Sequence, residues 1–290
     1  MIAVMGASGA TGGALLARLA ELGVPARALT RHPEPLRAAL ADRPHHGNRV
    51  DVVRADAEDP DTLRSAFTGT RQVFLAMANG PRQVELECDA VDMAVECGVE
   101  HIVKLSAPEA GPDSPVAVSR DHHTIEEHLR GTEIPHTVLR PYAFMQKLPL
   151  LAPGIRHGGV IVGTMQDAPC NYIDVRDIAD VAEAALTRPE VAGGTYHLTG
   201  GETVSHPQLA ERLSLLLRRP IRYVDLPPEA FREHLIRTAG MSDRLASHVA
   251  EIQRLAVTHP ERPTGDVARL LGRPPRTLDN FLGEHAAAFR

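Results

Sequence analysis

A short apolar run, Ile2-Ala3-Val4-Met5, stops at Gly6-Ala7-Ser8-Gly9-Ala10-Thr11-Gly12-Gly13, and leucines then recur at helical spacing (Leu15, Leu16, Leu19, Leu22). The glycines form a G-x-x-G-x-x-G. Glycine is required where a turn needs positive φ and where backbone must come close to a diphosphate. The helix that follows offers unpaired N–H groups and the positive end of its dipole to an anion. Such a motif is informative only between a strand and an amphipathic helix, and both are predicted here. Gly6, Ser8, Gly9, Ala10, Thr11 and Gly12 are therefore expected to hold a dinucleotide diphosphate.

The rest of the chain suits that opening. Apolar runs over 26–30, 50–55, 73–76, 101–105 and 137–140 read as strands. Helical patterns lie between them, from Asp59, over 84–97 closed by Gly98, and over 124–130. Alternation at this spacing predicts an α/β fold, a doubly wound parallel sheet with helices on both faces. Right-handed crossovers put the carboxyl ends of the strands on one edge, where ligands bind. After Pro141 the alternation weakens. Strands are expected at 172–175, 195–198 and 221–224, a helix over 181–186, and helical patterns through 203–262. We expect residues 1–150 to form the nucleotide-binding domain, with the strands near 172–198 rejoining it, and 151–290 to form mainly a smaller, mostly helical substrate lobe.

Composition narrows the function classes. The 290 residues are 43% hydrophobic, with a formal net charge of −6. A chain of this length and apolar content buries a core unaided. The acidic balance argues against direct nucleic-acid binding, and no apolar run is long enough to cross a membrane. No secretory signal is expected, because Met1 to Met5 carries no positive charge. Three cysteines without a C-x-x-C argue against a disulfide scaffold and fit the cytoplasm.

An NAD-binding domain usually places an acid for the ribose 2′-hydroxyl at the end of its second strand. Here Thr30-Arg31-His32 stands there, and the first acid is Glu34. A guanidinium can fork onto a 2′-phosphate, so NADP(H) is expected over NAD(H), with Arg31 as its reader. Asp56 follows the third strand, where it could meet the adenine amine or equally cap the helix near Asp59. Along the same edge Ala76, Met77 and Ala78 are expected against the cofactor.

These and further segments resemble the NmrA-like family, an atypical branch of the short-chain dehydrogenase/reductase superfamily. They are GASGATGG at 6–13, VRADAEDPDTL at 53–63, HIVKLSA at 101–107, the IEEHL and IPHTVLRPYAFMQ stretch within 125–146, YIDVRDIADVA at 172–182, TYHLTGGE at 195–202 and GRPPRTLDNFLGEHAAAF at 272–289. The resemblance implies a Rossmann-like domain with a small substrate lobe. It spans NADPH-dependent quinone and azo-dye reductases, natural-product enzymes and cofactor-sensing regulators. Typical members of the superfamily use a Tyr-x-x-x-Lys helix. Counting back from Ile125, those positions fall on Val118 and His122. Valine cannot donate a proton, so the usual carbonyl-reduction mechanism is not expected. His122, at the lysine position, becomes a candidate ribose contact or acid. The resemblance also places Ser106 near the substrate carbonyl, and Pro141, Tyr142 and Phe144 in a loop beside the nicotinamide. Tyr142 is a candidate stacking group or proton donor.

Lys104, one of only two lysines, falls in a strand expected to be buried, and a buried ammonium needs a partner, so it is expected in a gap between helices. Asp174 and Asp177 are expected to tie the two lobes together. The His123 to His128 run matches neither zinc-helix signature, so no metal site is expected. The sequence thus points to an oxidoreductase passing hydride to a small, flat, conjugated acceptor such as a quinone. A non-catalytic NAD(P) sensor with a protein partner, and a natural-product reductase, cyclase or dehydratase, remain open alternatives. Nothing in the sequence sets an oligomeric state.

Overall fold

The computed structural model describes residues 1–41 and 49–290. In chain order the elements are β1 (Ile2–Val4), α1 (Ala10–Glu21), β2 (Ala26–Thr30), α2 (Pro33–Ala41), β3 (Val50–Arg54), α3 (Pro60–Phe67), β4 (Gln72–Leu75), α4 (Gln83–Glu96), β5 (His101–Leu105), α5 (Ala117–Gly131), β6 (His136–Pro141) and β7 (Ala143–Phe144). There follow α6 (Ala152–Gly158), β8 (Val160–Gly163), β9 (Pro169–Ile173), α7 (Val175–Thr187), β10 (Thr195–Leu198), β11 (Thr203–Ser205), α8 (His206–Leu217), β12 (Arg222–Asp225), α9 (Pro228–Ala239), α10 (Asp243–Thr258), α11 (Asp266–Leu271), α12 (Leu278–Glu284) and α13 (Ala286–Phe289).

Seven strands form one parallel sheet in the order β10-β6-β5-β4-β1-β2-β3. Side chains alternate across it. Ile2, Val4, Phe74 and Val103 point to the face covered by α1, α7 and α11, while Ala3, Met5, Val73, Leu75 and Ile102 point to the face covered by α3 and α4. Burial on both faces is why these strands read as unbroken apolar runs rather than alternating ones. The expected doubly wound α/β sheet is therefore present.

The two later strands behave differently from each other. Thr195–Leu198 joins the main sheet as an edge strand beside β6. The segment expected at 172–175 ends at Ile173, and β9 pairs instead with β7 and β11 in a separate three-stranded sheet. Pro141 ends β6, and a proline supplies no N–H to continue a ladder. The chain then leaves the main sheet as β7, and β9 follows it. Asp174 caps α7, accepting from the backbone N of Arg176 at 2.9 Å. Helix α7 then returns to the main body, packing against α1. A third core, with Met145, Ile155, Leu209, Leu213 and Phe281, holds α6, α8, α12 and α13 around β9 and β11.

Helix α5 begins at Ala117, well ahead of the expected 124–130. Its inward face there is polar (Ser119, His122), so apolar periodicity could not reveal it. Among the described residues, no helix is long and apolar enough to cross a membrane.

Candidate active site

Strands β1 and β4 are neighbours, yet the chain visits β2 and β3 on one side before crossing to β4 on the other. The reversal opens a crevice above their carboxyl ends, the usual place for a ligand in such sheets. The Gly6 to Thr11 turn forms one wall. Gly6 has φ +74°, and a Cβ there would lie 2.6 Å from the carbonyl O of Ala76. Ala76, Met77 and Ala78, which follow β4, thus lie beside the turn. A Cβ on Gly12 would lie 2.3 Å from the carbonyl O of Gly6. The turn is closed by Gly9 N–H donating to Gly6 O at 2.9 Å. Gly9 caps α1 with no side chain, and the helix has no acid in its first turn. Its opening N–H groups and dipole are left for an anion. Thr11 is buried, whereas Ser8, Gly9 and Ala10 are exposed at the mouth.

At the next loop Arg31 is exposed, with no ion pair or hydrogen bond to another described residue. Glu34, the nearest acid, is engaged by Arg37. The capping question at Asp56 resolves in favour of its neighbour. Asp59 caps α3 by accepting from the Thr62 backbone N–H at 3.4 Å. Asp56 Oδ1 accepts from Glu58 N–H at 3.2 Å.

The expected reacting side chains each meet protein partners. His122 is buried, and both ring nitrogens face protein. Nδ1 lies 3.1 Å from Lys104 Nζ and Nε2 lies 3.3 Å from Gln83 Nε2. Burial first, and the Lys104 ammonium second, push its pKa down to about 2. The His122 ring, expected as a ribose contact or acid, is thus buried with its two nitrogens turned to Lys104 and Gln83. Lys104 does sit between helices as expected. It donates to Leu105 O and faces His122 Nδ1, and it forms an ion pair with Glu87 Oε2 at 2.6 Å.

Ser106 is also buried, and its hydroxyl donates to Glu126 Oε1 at 2.5 Å. Glu126 further accepts from Arg140 Nε at 3.0 Å and Arg130 Nη2 at 2.8 Å. Burial alone would raise the Glu126 pKa, but the Arg140 and Ser106 hydrogen bonds outweigh it and hold the group below its ordinary value. With its one proton committed, Ser106 can serve a substrate only as an acceptor. Asp177 joins segments remote in sequence: it is fully buried and accepts from Arg273 Nη2 at 2.8 Å and the Arg276 backbone at 2.7 Å.

Tyr142 keeps a hydroxyl at the sheet edge, donating to Glu109 Oε1 at 3.3 Å. Burial, then the charges of Glu109 and Glu261, push its pKa up to about 12. Its backbone N–H donates to Leu198 O at 3.0 Å, fixing the loop between β6 and β10. Pro141 is buried, and half-buried Phe144 packs on the main core. Glu109 and Glu261 carry no motif, and only the fold brings them near Tyr142. A cleft of about 300 Å³ lies between Pro115 and Val116, ahead of α5, and Arg254, Leu255 and His259 at the end of α10. Another, of about 210 Å³, lies between Met145, Tyr172 and the 274–278 segment, away from the β1–β4 crevice. The first borders the loop that carries Glu109. Among the described residues no three His, Cys, Asp or Glu side chains converge as a metal-ligand set.

Comparison with known proteins extends this picture. The model of the NmrA-like family matches residues 1–282. An NAD(P)H azoreductase of Xenophilus azovorans is 32% identical over 292 residues, covering 100% of this chain and 99% of the relative. A (4-alkanoyl-5-oxo-2,5-dihydrofuran-3-yl)methyl phosphate reductase of Streptomyces griseus is 36% identical over 293 residues, covering 100% and 99%. Among solved structures, an NADPH-dependent quinone oxidoreductase of Escherichia coli complexed with NADPH matches at TM-score 0.88 and 24% identity, covering 98% of this chain and 99% of that one. That last likeness speaks to the fold.

Proposed function

The chain belongs to the NmrA-like family, and from that premise we propose that it is an NADPH-dependent reductase that adds hydride to a small conjugated acceptor. The observation that carries the reading is the turn between β1 and α1. Its Gly6 and Gly12 leave no room for a Cβ, and its helix end is uncapped and free of acid. This is the shape and polarity that a diphosphate needs. Two relatives that cover the whole chain are reductases of an azo compound and of an unsaturated ketolactone. Both acceptor classes are conjugated and electrophilic.

The bound dinucleotide would supply the hydride. The protein's own part is binding and alignment. The backbone N–H groups of Ala10 and Thr11 would take the diphosphate, Arg31 the 2′-phosphate, and Asp56 the adenine amine. Ala76 to Ala78 and the Pro141 to Phe144 loop would border the nicotinamide end. No tyrosine occupies the Val118 position. The site therefore suits acceptors whose charge, after hydride addition, spreads over a conjugated system. The reading is tested by mixing the protein with NADPH and a panel of azo dyes, quinones and enones. Acceptor-dependent loss of nicotinamide absorbance is expected, and a rate equal to the protein-free blank for every acceptor overturns it.

Cofactor choice gives a sharper result. Arg31→Ala removes a charge-assisted contact of roughly 1.5–3 kcal/mol. We expect NADPH affinity to fall roughly ten- to hundredfold while NADH affinity stays within about twofold. Equal losses for both nucleotides in titration calorimetry would refute the assignment of Arg31.

A further inference from the structure

We propose that Glu261 is the acid that protonates the reduced acceptor, with Tyr142 and Glu109 completing its site. The inference rests on the reductase reading above. Three segments far apart in sequence meet here. Glu109 comes from the loop after β5, Tyr142 from the end of β6, and Glu261 from the loop joining α10 to α11.

The register fixes the meeting. Ala143 pairs with Tyr172 and Phe144 with Ile173, so Tyr142 continues β7 opposite Asn171. Glu261 Oε2 accepts the Asn171 backbone N–H. Its carboxyl group is thereby pinned to the strand neighbouring the tyrosine. Glu109 holds a left-handed backbone, φ +53°, a conformation costly for a non-glycine residue and concentrated at functional sites. The cleft between the pre-α5 loop and α10 ends at His259, two residues before Glu261.

Burial and three neighbouring groups act on the Glu261 carboxyl. Burial comes first and raises its pKa. The Asn171 N–H and the Cys170 thiol lower it, and the Glu109 charge raises it again, leaving it at about 7. A carboxyl group that still holds its proton near neutrality is matched to proton donation at that pH. Hydride enters the electrophilic atom of the acceptor, and the displaced π pair settles on its oxygen or nitrogen. Glu261 passes its proton to that atom and is left as a carboxylate, which water reprotonates. One hydride and one proton are consumed per acceptor, and the nicotinamide leaves oxidised.

A charge-based choice of acceptor separates this role from a structural one. A neutral azo dye or enone needs a proton after hydride addition, whereas a triarylmethyl cation is neutralised by the hydride alone. Glu261→Gln keeps an oxygen for the Asn171 N–H but has no acidic proton. We expect kcat/KM for the neutral acceptor to fall about hundredfold at pH 6. The wild type's decline above about pH 7 should flatten, and the cationic acceptor should be reduced within about twofold of wild type. In cofactor-free protein, a protonated carboxyl band in the infrared that titrates near neutrality should vanish in the same variant. Equal loss on both acceptors would make Glu261 a purely structural tether and sink the proposal, as would unchanged kinetics on both. A wild-type protein inactive on every acceptor would overturn the reductase reading, and this inference with it.

Discussion

Lys104→Met should lower unfolding stability by about 3–5 kcal/mol, the range for removing one partner of a buried ion pair. Lys104 and Glu87 both have fully buried side chains, and they meet at 2.6 Å. The ammonium is paired in charge with Glu87 Oε2 and meets His122 Nδ1 and Leu105 O as acceptors. Methionine fills similar volume but leaves the Glu87 carboxylate with Gln83 Nε2, at 2.8 Å, as its hydrogen-bond donor. Desolvating a charge without its counter-charge costs more than any packing gain. In thermal unfolding this corresponds to a drop on the order of 10 °C for a chain of this size. A loss under about 1 kcal/mol would show that the pair is not what holds α4 to β5. The double variant Lys104→Met, Glu87→Leu should recover most of the deficit, because the stranded charge is gone. The same cluster sets an acid limit. His122 stays neutral in the fold down to about pH 2, whereas an unfolded imidazole takes a proton near pH 6.5. The unfolded state therefore binds one more proton between those values, and stability falls as pH drops below about 6.5. His122→Asn should flatten that part of the profile.

The network also marks where sequence reading stops. Strands β1, β2, β4, β5 and β6 could be read directly, because burial on both faces makes them apolar runs ended by glycine, proline or polar residues. The phosphate turn could be read because its backbone geometry demands glycine at fixed spacing. The early start of α5 could not. Its core-facing positions there, Ser119 and His122, are polar and meet Pro108 O and Lys104, and Glu126 beyond them is held by Arg140. These partners lie between 11 and 18 positions away in sequence. His122 looked chemical because the resemblance puts it at the lysine position of the Tyr-x-x-x-Lys helix and because imidazole titrates near neutral pH. In the fold, Lys104 and Gln83 fill both its faces. Glu261 had the opposite fate. Nothing local in His259-Pro260-Glu261-Arg262-Pro263 signals an acid, since its neighbours come from β5, β6 and β9. The route of β9 was equally hidden, because a strand that follows β7 off the main sheet looks like one that stays.

Gly12→Ala should reduce dinucleotide affinity roughly a hundredfold or more, while Gly13→Ala, one residue on, should leave it unchanged. The contrast is steric. At Gly12 a Cβ would lie 2.3 Å from Gly6 O, 2.8 Å from Gly6 C and 3.1 Å from Ala7 Cα, all backbone atoms of the turn itself. None of these can rotate away as a flexible side chain would. The start of α1 must then withdraw from the turn, and the N–H groups of Ala10 and Thr11 no longer point at one spot. Each hydrogen bond to a charged phosphate oxygen is worth roughly 1.5–3 kcal/mol, so losing two accounts for the expected fall. At Gly13 the nearest atom to a Cβ would be Ala7 O at 3.7 Å, an ordinary contact. Alanine there should add roughly 0.5–1 kcal/mol of stability, since it restricts the unfolded chain and favours helix. Calorimetric titration with NADPH, beside thermal unfolding of each variant, separates the two outcomes. A Gly12→Ala protein that unfolds like wild type yet binds NADPH as tightly would mean that the diphosphate lies elsewhere, and the assignment of the β1–α1 turn would fall. Weakened binding with unchanged unfolding would instead tie the nucleotide to this one close approach of helix and turn.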